Sequence, residues 1–318
     1  MMKLFAPGEK TVVAARPVWQ EYFAAMMKNH QNVVALTADL SRSTCTELAR
    51  KEVPERFFNV GIAEQNMLGM AAGLALNGKI PYCATFAPFA SMRAAEQFRN
   101  DICYMNLNVR LVGSFAGIVM PSGPTHSGLE DAGIIRGMPN STVVSPSDLH
   151  MLARIFEASV DYPGPVYIRL ESGANEPVLY AEEYEFKIGK ALIAKPGKDA
   201  VIISFGMILR NALEAALKLG EEGFDVGVID MHTLKPLDAA AVLEAARRTG
   251  RIITMENHSI YNGLGSAVAE TILESGIPCK FKRLGIPDRF PAYDDPEKLA
   301  IRYGFGTEAA VSVIKAMF

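Results

Sequence analysis

At 318 residues, with 49% apolar and 21% charged residues, the chain is long enough for two domains with full cores and too apolar to stay disordered. Its 32 Lys and Arg against 35 Asp and Glu leave a net charge of -3, spread evenly, which argues against a nucleic-acid footprint or a polybasic membrane patch. The four cysteines show neither CxxC pairing nor metal-ligand spacing to the five histidines, and no apolar run suits a signal peptide or a membrane span, so a soluble protein of the reducing cytoplasm is expected.

Taken in chain order, residues 16–170 alternate helical patterns with short apolar runs at 33–36, 80–86, 109–113, 142–145 and 166–170, the signature of a parallel sheet with helices on both faces. Within this unit, 56–60 reads as a short strand, followed by a turn at Gly61 and a helix of small residues that stops at Asn77-Gly78. Residues 171–190 lose the period and gain charge, which marks a linker. A second unit then reads as strand 200–205, helix 208–219 closed by Gly220 and Gly223, strand 225–230, helix 239–248 and strand 251–255. The expectation is an α/β protein of two doubly wound domains, 1–180 and 190–318. Gly263-Leu264-Gly265 lacks the third glycine of a dinucleotide loop, Val268 standing there, so it reads better as a helix cap; Glu256-Asn257-His258 carries no assigned chemistry.

Several residues invite a chemical reading. Glu64 falls in the first turn of an otherwise apolar helix, where the positive helix end favours a carboxylate while neighbours such as Ile62, Met67 and Leu68 keep water away. An ordinary first-turn Glu explains it equally well. Phe86 and Phe89, with Pro88 between them, read as core residues by composition. His126 follows Gly123-Pro124 in a loop, where histidines serve function more often than packing. Arg16 and Arg169, far apart in the chain, suit a phosphate clamp if the fold brings them together.

The run Gly61-Ile-Ala-Glu-Gln-Asn66, the Thr85-Phe-Ala-Pro-Phe89 segment, Gly123-Pro-Thr-His126, Arg136-Gly-Met-Pro-Asn140 and, later, Lys235-Pro-Leu-Asp238 occur in this order. Together they resemble the pyrimidine-binding and C-terminal domains of transketolase, a thiamine diphosphate enzyme. The resemblance implies that Glu64 activates the cofactor, that Phe86 and Phe89 stack on its pyrimidine with Asp39 beside it, and that His126 faces both cofactor and substrate. It further implies that Arg16, Ser43 and Arg169 hold a sugar phosphate. The chain has no Gly-Asp-Gly, so the resemblance places the diphosphate site and the Mg²⁺ ligands on a separate N-terminal subunit, in an α2β2 assembly that is inactive as single chains. Two departures touch the donor pocket: Ser122 stands where the family has a substrate-reading Asp, and Phe115 where it has His. Rival readings are a deoxyxylulose phosphate synthase-like or 2-oxo acid dehydrogenase β-like thiamine subunit, and a noncatalytic interaction subunit.

Overall fold

The computed structural model describes residues 12–119, 123–171 and 175–318. Their strands are β1 (Val12–Ala14), β2 (Val33–Thr37), β3 (Phe57–Asn59), β4 (Ile80–Phe86), β5 (Arg110–Ser114), β6 (Thr142–Val144), β7 (Val166–Arg169), β8 (Asn175–Pro177), β9 (Leu192–Lys195), β10 (Ala200–Phe205), β11 (Val226–Asp230), β12 (Thr233–Lys235), β13 (Arg251–Ser259) and β14 (Lys280–Ile286). A seven-stranded sheet has the order β12-β6-β7-β5-β4-β2-β3, and a five-stranded sheet the order β14-β13-β10-β11-β9. In the first, β2 to β7 all run parallel, and each inner strand is a near-continuous apolar run because helices cover both faces.

On one face of the first sheet, the helices Ala15–Asn29 and Met151–Val160 press Phe23 and Phe156 against Tyr82 of β4. On the other, Met67, Leu68 and Ala71 of the helix Glu64–Leu76 pack with Phe98 and Ile102. That helix ends at Asn77, and Gly78 takes φ 79°, the left-handed conformation that glycine adopts without steric cost. Both apolar clusters contain residues of the two sheets, so the core is continuous across the domain junction.

The second domain also lends a strand to the first. β12 pairs antiparallel with β6, and the Lys235 ammonium donates to the carbonyls of Arg136 at 3.0 Å and Met138 at 2.6 Å, closing the end of the helix Asp131–Arg136 where carbonyls lack partners. Asp238 caps the next helix by accepting from Ala241 N at 3.3 Å. The segment His232–Asp238 is therefore a structural joint.

Two elements run two or more residues past their expected ends. The helix Leu209–Glu221 passes straight through Gly220, and only Gly223, at φ 90°, turns the chain. β13 extends past Met255 to Ser259 because Glu256, Asn257 and His258 each have a fixed partner, described below.

Candidate active site

In an open parallel sheet the natural crevice lies beyond the carboxyl ends of two adjacent strands whose connections leave in opposite directions. In the first sheet these are β2, which leads outward to β3, and β4, which leads inward to β5. The residues singled out from sequence gather around this point. Asp39 follows β2, Glu64 follows β3, and Phe86 ends β4.

Glu64 is only 1% exposed although it opens its helix. Its Oε1 accepts from Thr85 Oγ1 at 3.1 Å and its Oε2 from Arg93 Nη1 at 3.0 Å. Phe86 and Phe89 lie stacked, ring centroids 5.6 Å apart, and both stay partly exposed, so they are not simply core. The His126 ring stands edge-on to both, at 6.1 Å and 5.6 Å. Arg93 completes the cluster, its guanidinium 4.1 Å from the Phe89 centroid. Phe89–Arg93 forms a π-helical turn, in which residues four apart nearly eclipse, and this carries Arg93 over Phe89.

The wall beside Phe86 is Phe115, whose ring is 4.5 Å away and edge-on. Phe115 has φ 58°, a conformation costly for a bulky side chain and persistent only where the surroundings fix it. Those surroundings are specific. Gly128 N donates to Phe115 O at 3.0 Å, and Gly117 N to Gly128 O at 2.6 Å. At Gly117, with φ 72°, a Cβ would meet Asn257 O at 2.4 Å, so only glycine fits. Asn257 Oδ1 in turn accepts from Ile118 N at 2.9 Å, and its Nδ2 donates to Ile118 O at 3.2 Å.

Arg169 lies at the junction of the two domains. It is fully buried, and its guanidinium donates to Asp131 Oδ2 at 3.0 Å, Glu171 Oε1 at 2.7 Å and the Asn257 carbonyl at 2.8 Å. Burial disfavours its charge, but Asp131 and Glu171 outweigh this and hold it protonated. Through these bonds to Asp131 and Glu171 on one side and Asn257 on the other, Arg169 ties the two domains together.

The same junction holds Glu171, pushed up to about 7 by burial against the pull of Arg169 and Asn257, and Glu256, pushed up to about 7 by burial although backbone N–H groups favour its charge. Glu256 accepts from Leu264 N at 2.7 Å and Gly265 N at 2.8 Å, which makes Gly263-Leu264-Gly265 the capped start of the helix Leu264–Ser275. His258 Nε2 accepts from Gly133 N at 3.2 Å while Nδ1 donates to Ser259 O at 2.7 Å, fixing the neutral tautomer that burial favours.

The remaining expected residues occupy separate segments of the carboxyl edge. Asp39, exposed and at φ 62°, is tied to Asn59, whose Nδ2 donates to Asp39 Oδ1 at 3.1 Å and whose Oδ1 accepts from Gly61 N at 3.1 Å. Ser43 is half-buried in the turn after β2. Arg16 is exposed at the start of the helix that follows β1, which pairs with β8 just beyond β7. Ser122 lies outside the described residues. Sequence reasoning missed Thr85, Asn59 and Arg93; the four-residue spacing from Phe89 to Arg93 was the available signal for the last. Among the described residues no group of three His, Cys, Asp or Glu is placed to hold a metal ion, and no helix is long and apolar enough to cross a membrane.

Two tandem doubly wound domains, with a buried carboxylate and a partly open aromatic pair at the first domain's switch point, define an α/β protein whose candidate site lies at a sheet crevice. Residues 12–176 match the family described as transketolase, pyrimidine binding domain, and residues 189–309 match transketolase, C-terminal domain. The chain belongs to the transketolase family. It is similar to a putative transketolase C-terminal section of Methanocaldococcus jannaschii, with 40% identity over 92% of this chain and 93% of that protein. It is similar also to an apulose-4-phosphate transketolase subunit of Actinobacillus succinogenes, with 35% identity over 92% of this chain and 94% of that protein. A solved split-gene transketolase, described as an inactive β4 tetramer, shares 40% identity and a TM-score of 0.87, covering 96% of this chain and 98% of its own.

Proposed function

We propose that the chain is the C-terminal subunit of a two-chain transketolase that moves a two-carbon ketol unit between sugar phosphates with thiamine diphosphate. The observation that carries this reading is Glu64, a carboxylate 1% exposed and linked through Arg93 to a partly open aromatic pair. The reading seats a flat ring with a polar edge there, its face against Phe86 and Phe89 and its ring nitrogen towards Glu64. When bound, thiamine diphosphate supplies the nucleophilic carbon that carries the ketol unit.

In this reading Glu64 holds and returns a proton at the pyrimidine nitrogen, steadied by the Thr85 hydroxyl. Phe86 and Phe89 fix the ring plane, with Asp39 on the neighbouring loop. His126, edge-on to both rings, serves as the acid or base nearest the reacting carbons. Arg16 and Ser43 meet the substrate phosphate, while Arg169 is left out because its guanidinium is already engaged. Phe115 gives the pocket a hydrocarbon wall beside Phe86. Such a wall suits a donor of altered shape, a branched sugar phosphate included.

Relatives of similar length are named as a C-terminal section and as one subunit of a transketolase. These names support a partner subunit, to which the reading assigns the diphosphate and Mg²⁺ half, and the reading places the pair in the cytoplasm as an α2β2 assembly. The test combines this chain with a candidate partner, Mg²⁺ and thiamine diphosphate, and follows ketol transfer across a panel of sugar phosphates with Glu64→Ala as control. Transfer that needs both chains and Glu64 supports the proposal. Bound cofactor with carbon dioxide released from pyruvate, and no ketol transfer, would replace it with a condensing enzyme.

A further inference from the structure

Arg93 does in this chain what a bound aminopyrimidine would do. Its guanidinium is planar, lies 4.1 Å from the Phe89 centroid and donates to Glu64 Oε2 at 3.0 Å. A flat nitrogen-rich group stacked on the aromatic pair and hydrogen-bonded to the buried carboxylate makes the same two contacts that the cofactor's ring requires, so ring and guanidinium compete for one seat. The two sides of the ion pair differ sharply in freedom, the Glu64 side chain being 1% exposed and that of Arg93 46%. Glu64 stays in place and Arg93 is able to swing out.

We infer that Arg93 is a displaceable occupant of the pyrimidine seat, which keeps Glu64 paired and the Phe89 face covered until the cofactor replaces it. The inference rests on the thiamine reading above and adds to it a residue that sets how tightly the ring half binds. The electrostatics of the exchange are favourable to such a device. Thr85 serves only Oε1 of the buried carboxylate, and leaving Oε2 without a donor is costly; Arg93 supplies that donor, and the arriving ring nitrogen takes over the same oxygen. On leaving, Arg93 gives up the ion pair and the ring contact, and water solvates its cation because the position is half exposed.

The consequence is opposite to that of an ordinary binding residue: removing Arg93 strengthens binding. A half-exposed ion pair and a guanidinium–ring contact together are worth enough that Arg93→Ala binds the ring about tenfold tighter. Arg93→Lys keeps the charge but not the flat fork, and falls between the two.

The experiment titrates the full chain with the methylated aminopyrimidine that forms the cofactor's ring half, followed by ligand-observed NMR, for the natural chain, Arg93→Ala, Arg93→Lys and Glu64→Ala. Thermal unfolding confirms that each variant is folded. The expected result is binding lost in Glu64→Ala, tightened about tenfold in Arg93→Ala and intermediate in Arg93→Lys. Glu64-dependent binding that is unchanged or weaker in Arg93→Ala overturns the Arg93 inference and leaves the thiamine reading standing. Absence of Glu64-dependent binding in every folded variant removes both.

Discussion

Asn257 of the second domain and Ile118 of the first grip each other through a two-way clasp, the Asn257 amide accepting from Ile118 N at 2.9 Å and donating to Ile118 O at 3.2 Å. The same amide donates to Glu171 Oε2 at 3.2 Å. Since residues 115–118 carry the Phe115 wall to Phe86, the second domain shapes the candidate site through backbone placement. Asn257→Ala removes three hydrogen bonds at a buried position and leaves their partners dry, which is expected to cost about 2–4 kcal/mol. Under the proposed function, turnover should fall by about tenfold through loop misplacement. Denaturant unfolding read beside turnover checks this; full stability with normal turnover would show that the clasp positions nothing.

Arg169 distinguishes a structural tie from a phosphate clamp. Removing the guanidinium strands two buried acids, Asp131 and Glu171, each within 3.0 Å of it. Breaking a buried ion pair by deleting one partner costs about 3–5 kcal/mol. Arg169→Gln is therefore expected to lower the unfolding midpoint strongly. A variant with an unchanged midpoint and a raised KM for phosphorylated substrate would restore the clamp reading.

Thr85 is the fixed donor to Glu64, and unlike Arg93 it is fully buried. Thr85→Val keeps the volume and removes the hydroxyl, leaving Oε1 without that donor. A hydrogen bond to a charged group is worth about 1.5–3 kcal/mol, so turnover is expected to drop by roughly tenfold or more, with Thr85→Ser recovering most of it. Equal loss in both variants would point to packing, not to the hydrogen bond.

The parallel strands of the first domain were legible because inner strands are uninterrupted apolar runs, and β4 and β10 match their expected bounds. The cluster of Glu64, Phe86, Phe89 and His126 was legible only through the family motifs; two phenylalanines beside a strand say nothing alone. What stayed hidden are long-range pairings. Arg169 has the same sequence appearance whether it faces a substrate or Asp131, 38 residues away. Arg136, within a family motif, instead pairs with Glu270 on the helix Leu264–Ser275. Asn257 and His258 carry no local signal, because their partners Ile118 and Gly133 belong to the other domain.

Asp230 gives the fold a pH dependence of predictable sign. It is fully buried, and its Oδ2 accepts from Tyr180 OH at 2.5 Å and from Ser147, while no Lys or Arg pairs with it among the described residues. Burial pushes its carboxyl up to about 7. The unfolded value is about 3.9. A carboxyl raised on folding contributes stability that is complete below the unfolded value and is lost as pH rises through the folded one, so between about pH 4 and 7 Asp230 makes the fold weaker with rising pH. Glu171 and Glu256, each raised to about 7 by burial, act in the same sense. His232, lowered to about 4 by burial, acts in the opposite sense, gaining stability as pH rises towards its unfolded value. His258, also lowered by burial, adds to His232, and Glu130, also raised by burial, adds to the carboxyls, so four carboxyls against two imidazoles leave a net loss. The unfolding free energy is expected to fall from about pH 5 to about pH 8, and Asp230→Asn, which keeps an acceptor for Tyr180 and Ser147 but cannot ionise, should remove on the order of 3 kcal/mol of that fall. Denaturant unfolding of both proteins at the two pH values measures it, and an equal pH dependence in the two would mean that Asp230 does not titrate in this window.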